Sequence, residues 1–151
     1  MSEAEQRILI GLNQSDMAMK GRHWDEDANT PDEVLQDFLD RKADSVQQRI
    51  REAMGLNLNV VCYCAGYTEE DEQRKPYNLV KLLHCLLAQT PKEKRLAVVQ
   101  HLNEDPENWV HNEDDGSDIG QDLLGIPGGV IGGLVGGIGG AVVGIFKGLF
   151  D

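Results

Sequence analysis

The feature that most constrains this chain is a four-residue repeat at its C-terminal end. From Gly128 the last 24 residues read GGVI GGLV GGIG GAVV GIFK GLFD, so glycine occupies the first position of every tetrad. Residues 123–146 contain no charged side chain. As an α-helix this run would be about 36 Å long, which is enough to cross a hydrocarbon core of roughly 30 Å with some tilt. The pattern therefore predicts a membrane-spanning helix.

On such a helix the small residues form a groove and the large residues form a ridge beside it. Small residues spaced four apart let helix backbones approach closely in lipid. A groove on one side of the helix and large side chains on another favour head-to-tail contacts between helices around a ring. A repeat of four residues exceeds the 3.6 residues of a helical turn, so it favours right-handed crossing of neighbouring helices. The residues predicted to contact the membrane or a neighbouring helix are Gly125, Gly128, Gly129, Gly132, Gly133, Gly136, Gly137, Gly140, Gly144, Gly148, Val130, Leu134, Ile138, Val142, Phe146, Lys147 and Phe150.

This repeat resembles the glycine-zipper segments of channel subunits, pore-forming toxins, viral membrane-penetration peptides and phage proteins that form conduits for genome ejection. The resemblance covers residues 125–151 and implies oligomeric insertion into a bilayer, without any catalytic residue. Alternatives are a flexible glycine-rich tail, a monomeric or dimeric tail anchor and a stacked β assembly. The last is open because even-numbered residues from Gly128 to Phe150 alternate glycine with a large side chain.

Composition divides the chain into two parts. Of the 17 glycines, 13 follow residue 115, and residues 111–118 form a polar, acidic stretch. These shifts predict an acidic helical domain (residues 1–110), an acidic linker (111–118) and a glycine-zipper membrane segment (119–151). The net charge of −12 lies almost entirely before residue 119. It argues against nucleic-acid binding and suits a basic protein partner, although it would also serve simply to keep the protein soluble.

Three capping boxes predict helix starts in the acidic domain. They pair Ser2 with Glu5, Thr30 with Glu33, and Thr90 with Glu93. The second helix is expected to stop at Gly55, and the apolar residues 77–89 are expected to form a central helix buried on most sides. Residues 56–64 alternate as a strand would, but no partner strand is evident, so a short buried helix or an extended core segment is predicted. The fold class predicted is mainly α, a small acidic bundle of about five helices followed by the linker and one glycine-zipper helix.

The chemistry-bearing side chains do not form a recognisable site in the sequence. Cys62 and Cys64 are separated by one residue, and His84 is adjacent to Cys85. Neither spacing is typical of zinc ligands or of a nucleophile with its base. The carboxylates of residues 69–72 are interpreted as a solvated helix face. We therefore predict no catalytic residue, no cofactor and no metal.

Together these features predict a non-enzymatic, membrane-active protein. Its C-terminal helix would oligomerise in a lipid bilayer to form a pore or conduit, controlled by the acidic domain, as in a cell-killing or defence effector or a viral or phage penetration protein. The alternatives are a tail-anchored adaptor or scaffold and a structural virion or assembly subunit. The N-terminal residues lack the basic start and apolar core of a secretory signal, and the odd cysteine count indicates a reducing cytoplasm. Membrane association after synthesis there, or carriage in a virion, is expected.

Overall fold

The computed structural model describes residues 7–101 and 106–113, and this part of the chain is a mixed α/β fold. The prediction of a mainly α bundle of about five helices is therefore wrong, because short sheets accompany the helices. In chain order the elements are β1 (Leu9–Leu12), a 3-10 segment (Ser15–Gly21), β2 (Trp24–Asp25), β3 (Thr30–Pro31), α1 (Glu33–Met54), β4 (Asn59–Cys62), β5 (Tyr67–Thr68), β6 (Gln73–Arg74), α2 (Leu79–Gln89), α3 (Lys92–Gln100) and a 3-10 turn (Pro106–Trp109).

The centre of the fold is a β-α-β unit. β1 pairs with β4 in parallel, with Leu9 opposite Asn59 and Leu12 opposite Cys62. Parallel strands need a crossover connection, and α1 supplies it while packing against β4. The segment containing residues 59–62, predicted to lack a partner, is thus a strand. The prediction was wrong because the partner is the four-residue strand β1, in a region where the first capping box had indicated a helix.

Helix α1 forms largely where its sequence predicts, but its first residues differ. Thr30 and Pro31 belong to β3, which pairs antiparallel with β2. Asp32 is the N-cap, and its Oδ1 accepts a hydrogen bond from the backbone N–H of Leu35 at 2.9 Å. The predicted end is confirmed, since Gly55 follows the last turn with φ +70°, a conformation that glycine adopts without strain. Thr30 and Pro31, which the capping box had assigned to the start of the helix, therefore pair with β2 instead.

Helix α2 begins at Leu79 and ends at the predicted Gln89. Val80 and Leu87 are buried on one face, whereas Leu86 is 45% exposed, so the helix is not buried on most sides as predicted. The Thr90 hydroxyl donates to the Leu86 carbonyl at 2.8 Å and so closes α2. Helix α3 follows directly and begins at Lys92, within the third predicted capping box of Thr90 and Glu93.

The core lies where α1 meets the hairpin segments. Trp24, Leu35, Leu39, Cys64 and Tyr77 form one buried cluster, and the Trp24 and Tyr77 rings meet edge to face at 5.3 Å between centroids. The residues of this cluster come from β2, α1 and the two segments flanking the β5–β6 hairpin. The loops around β2 and β6 are consequently held against the helix rather than extending from it.

Candidate functional site

The residues predicted to enter a membrane, from Gly125 to Phe150, lie outside the described residues, as does the first capping box at Ser2. Within residues 7–101 and 106–113, no helix is long and apolar enough to cross a bilayer. α1 has sufficient length, with 22 residues, but carries charges throughout its exposed face. The prediction of a membrane-spanning segment therefore rests on the sequence of the tail.

Cys62 and Cys64 are placed in surroundings that keep their thiols protonated. Burial raises the pKa of Cys64 to about 11, and the Cys64 Sγ accepts a hydrogen bond from the backbone N–H of Gly66 at 3.4 Å. Burial likewise raises the pKa of Cys62, whose thiol lies 3.6 Å from the Leu39 carbonyl oxygen. A thiolate is the nucleophilic form, so these environments disfavour covalent chemistry at neutral pH.

The described residues also bring no metal-ligand set together. Cys62 and Cys64 lie at the end of β4 and just beyond it, while His84 and Cys85 are half-buried on α2. Across the part of the chain that the structure describes, no group of three or more His, Cys, Asp or Glu side chains is arranged to hold a metal ion. No disulfide joins the three cysteines, which all fall within the described ranges.

A buried ion cluster lies beside the core. Arg74, at the end of β6, donates from Nε to Asp16 Oδ2 at 3.1 Å and from its two terminal nitrogens to Glu26 at 2.5 and 2.9 Å. The Asp16 side chain is only 2% exposed. The hydrogen bonds from Arg74 lower the pKa of Glu26, and the same contacts raise the pKa of Arg74. The Glu26 carboxylate therefore stays ionised beside the guanidinium.

The same guanidinium also covers an aromatic ring. It lies 5.4 Å from the centre of the Trp24 ring, a distance at which cation–π attraction contributes. The indole Nε1 of Trp24 is buried and has no hydrogen-bond partner within the described structure. Because the Arg74 side chain contacts Asp16, Glu26 and Trp24, the cluster joins the 3-10 segment, the β2–β3 hairpin and the β5–β6 hairpin. Its evident role is structural.

The most acidic stretch of the domain is a hairpin turn rather than the predicted helix face. Glu69 and Glu72 exchange backbone hydrogen bonds at 2.8 and 3.2 Å across the turn that joins β5 to β6. Residues 69–72 are all exposed, so their four carboxylates are solvated. Beside this hairpin a shallow cleft of about 220 Å³ is lined by residues including Gly66, Arg74 and Asn108.

The segment that leads into the tail is attached to the start of α2. The backbone N–H of Asn78 donates to the His111 carbonyl at 2.7 Å. The Asn112 side chain accepts from the Val80 N–H at 3.1 Å, and so acts as a cap for α2, and it donates to the Trp109 carbonyl at 2.6 Å. Trp109 itself is buried. Residues 111–113, assigned by composition to a linker, thus contact the folded body.

Glu113 completes this attachment. Its backbone N–H donates to the Asn78 side-chain oxygen at 3.3 Å, while its carboxylate accepts from Asn78 Nδ2 at 3.4 Å and from Lys81 Nζ at 2.9 Å. Asn78 also donates from Nδ2 to the Cys62 carbonyl at 2.9 Å, which links β4 to the segment. We call residues 111–113 the strap, because they bind to the N-terminal end of α2 at the point from which the chain continues toward the tail.

Sequence reasoning missed the strap because its charges resembled those of a solvated linker. Two signals were available. Trp109 is a large aromatic residue that needs burial, and it lies immediately before the acidic stretch. Asn78 lies at the start of the apolar run of residues 77–89, and asparagine favours helix caps over helix interiors. Neither signal identifies its partner across more than 30 residues of sequence.

Comparison with known proteins gave no relative: no protein-family model, no curated protein and no solved structure matches the chain.

Proposed function

We propose that the protein is a non-enzymatic, membrane-active protein whose C-terminal glycine-zipper helix oligomerises in a bilayer to form a pore or conduit, under the control of the acidic N-terminal domain. The observation that carries this proposal is the tail sequence. Glycine recurs every fourth residue from Gly128 to Gly148, within and beyond a run of 24 uncharged residues. A solitary lipid-facing anchor does not need such a groove, whereas closely packed helices do.

The folded part supports a controlling role rather than a catalytic one. Its buried thiols are held protonated, and its most buried charges are committed to the ion cluster around Arg74. Its strap, residues 111–113, binds to the start of α2 just before the residues that lead to the tail. The acidic surface offers charge complementarity to a basic protein partner, which we propose as a regulator of the tail.

The test measures dye release and flotation with phosphatidylcholine liposomes. Three full-length proteins are compared: the wild type, the groove variant Gly132→Leu/Gly136→Leu, and a ridge control, Val130→Leu/Val142→Leu. Both variants add apolar bulk to the tail, but only the first fills the groove. We expect all three to float with the liposomes, and the wild type and ridge control to release dye. The groove variant should lose most of the release, because its helices no longer approach closely.

Three outcomes would contradict the proposal, each in a different way. Flotation of all three proteins without dye release would indicate a tail-anchored adaptor that acts through its folded domain. A wild type that neither floats nor releases dye, but assembles without lipid, would indicate a structural subunit. Equal release from the groove variant and the wild type would refute the zipper as the assembling element.

A further inference from the structure

The strap combines an apolar anchor with a set of polar contacts that are accessible to water. Trp109, just before the strap, is buried against the body, whereas the strap itself is held by hydrogen bonds and one ion pair. The side chains of Lys81 and Glu113, which form that ion pair, are 37% and 32% exposed. Solvent and competing charges can therefore reach these contacts without any opening of the core. Segments fastened in this way belong to the least stable units of a fold and open locally.

The strap also fixes the point on the folded body from which the chain continues toward the tail. With the strap closed, Glu113 is fixed beside Asn78 and Lys81, and residues 114–151 start from that point. Opening the strap while Trp109 stays buried frees residues 110–113, which span about 13 Å when extended. The root of the tail would then stand off from the acidic body by that distance, and the tail would gain reach toward a bilayer and toward neighbouring copies.

Resting on the proposed function, we propose that the strap is a latch: the contacts of residues 111–113 with the start of α2 hold the root of the tail against the body, and their release precedes membrane insertion. The ion pair between Glu113 and Lys81 is its exposed fastening. Asn78 is its buried fastening, since the Asn78 side chain is bonded to both Glu113 and the Cys62 carbonyl. The latch thus connects the tail to β4 and, through it, to the β-α-β unit.

The experiment loosens the latch in the full-length protein without altering the tail. Lys81→Met removes the cation but keeps the aliphatic stem, and Lys42→Met on the exposed surface of α1 is the matched control. Amide hydrogen exchange is followed at Val80 and Glu113, whose N–H groups donate across the strap contact. Dye release from phosphatidylcholine liposomes is followed in parallel. We expect Lys81→Met to speed exchange at both amides by up to about fivefold, since the ion pair is partly exposed, and to speed dye release by a similar factor, with Lys42→Met matching the wild type.

Each result is decisive for the latch. Unchanged exchange in Lys81→Met would show that the ion pair does not hold the strap, and faster exchange with unchanged dye release would show that the strap does not restrain the tail. Either result overturns the latch and leaves the pore intact. If no protein releases dye, the pore proposal fails and flotation decides: a larger bound fraction for Lys81→Met supports the latch, and equal fractions overturn it.

Discussion

Replacing Arg74 by methionine tests whether the buried ion cluster is as closed as its geometry indicates. The change removes the guanidinium and leaves the Asp16 carboxylate, 2% exposed, without its cation. Removing one partner of a buried pair costs about 3–5 kcal/mol, because the remaining charge is desolvated and uncompensated. The Glu26 side chain is 70% exposed, so Glu26→Gln should cost about 1 kcal/mol or less. Arg74→Met is thus predicted to lower the free energy of unfolding several times more than Glu26→Gln does.

The assay is urea unfolding of the full-length protein, followed by tryptophan fluorescence, since Trp24 and Trp109 are both buried. A domain of this size is typically stable by 5–15 kcal/mol, so Arg74→Met removes a large fraction of the total. The double variant Asp16→Asn/Arg74→Met guards against a protein that simply fails to fold. It removes the uncompensated charge, and we expect it to regain about half of the lost stability.

The same three variants also give the results that would contradict a buried, uncompensated Asp16 charge. If Arg74→Met and Glu26→Gln each cost about 1 kcal/mol, Asp16 is solvated in the folded protein and the cluster is a surface feature. If Arg74→Met is costly but the double variant regains nothing, the loss comes from the packing of the Arg74 stem and from its contact with Trp24, not from the unpaired carboxylate. Only recovery in the double variant supports the electrostatic account.

Two further predictions concern the folded domain. Gly66→Ala should lower the free energy of unfolding by about 2–4 kcal/mol, because at φ +77° a Cβ atom would lie 2.6 Å from the Arg74 carbonyl oxygen. Gly55→Ala, at φ +70° with nothing within 4 Å of the added Cβ, should lower it by only about 1 kcal/mol. Urea unfolding compares the two variants, and equal losses would contradict the clash. The pKa of Cys64 is about 11 in the folded state and about 8.5 in an unfolded chain, so the folded state binds more protons between these values and the free energy of unfolding falls as pH rises through this range. Cys64→Ala should make that fall smaller in unfolding curves at pH 8 and pH 10, and identical falls would contradict it.

The sequence predicted the parts of the fold that depend on neighbouring residues. α1 shows a helical apolar spacing and a glycine at its end, and both are local signals; its termination at Gly55 was predicted correctly. The strands are different, since each has only two to four residues and obtains its hydrogen bonds from a distant segment. β4 has the alternation of a strand, but its partner β1 is about 50 residues earlier and has only four residues, which is too short for a recognisable strand pattern. Pairing therefore overrode the local signals, and the bundle prediction failed.

The same distinction between local and long-range signals applies to the candidate site. The tail's pattern lies within one continuous segment, so a groove and a ridge could be predicted from the spacing of its residues alone. The strap depends on Asn78, Asn112 and Glu113, which meet across more than 30 residues of sequence, and the acidic composition concealed them. Polar contacts of this kind have no periodicity, and only the fold brings their partners together.

The energetics of the tail explain why control at its root would matter. Twelve large apolar residues lie in residues 123–146, and at roughly −0.3 to −0.6 kcal/mol each they favour insertion by about −4 to −7 kcal/mol. Ten glycines in the same run oppose a single helix by up to about 1 kcal/mol each. One copy alone is therefore close to balance, so in the proposed assembly the packing between neighbouring helices would supply the remainder. A latch that keeps each root against an acidic, mutually repelling body would act on that assembly step, where a small change in reach decides whether neighbours meet.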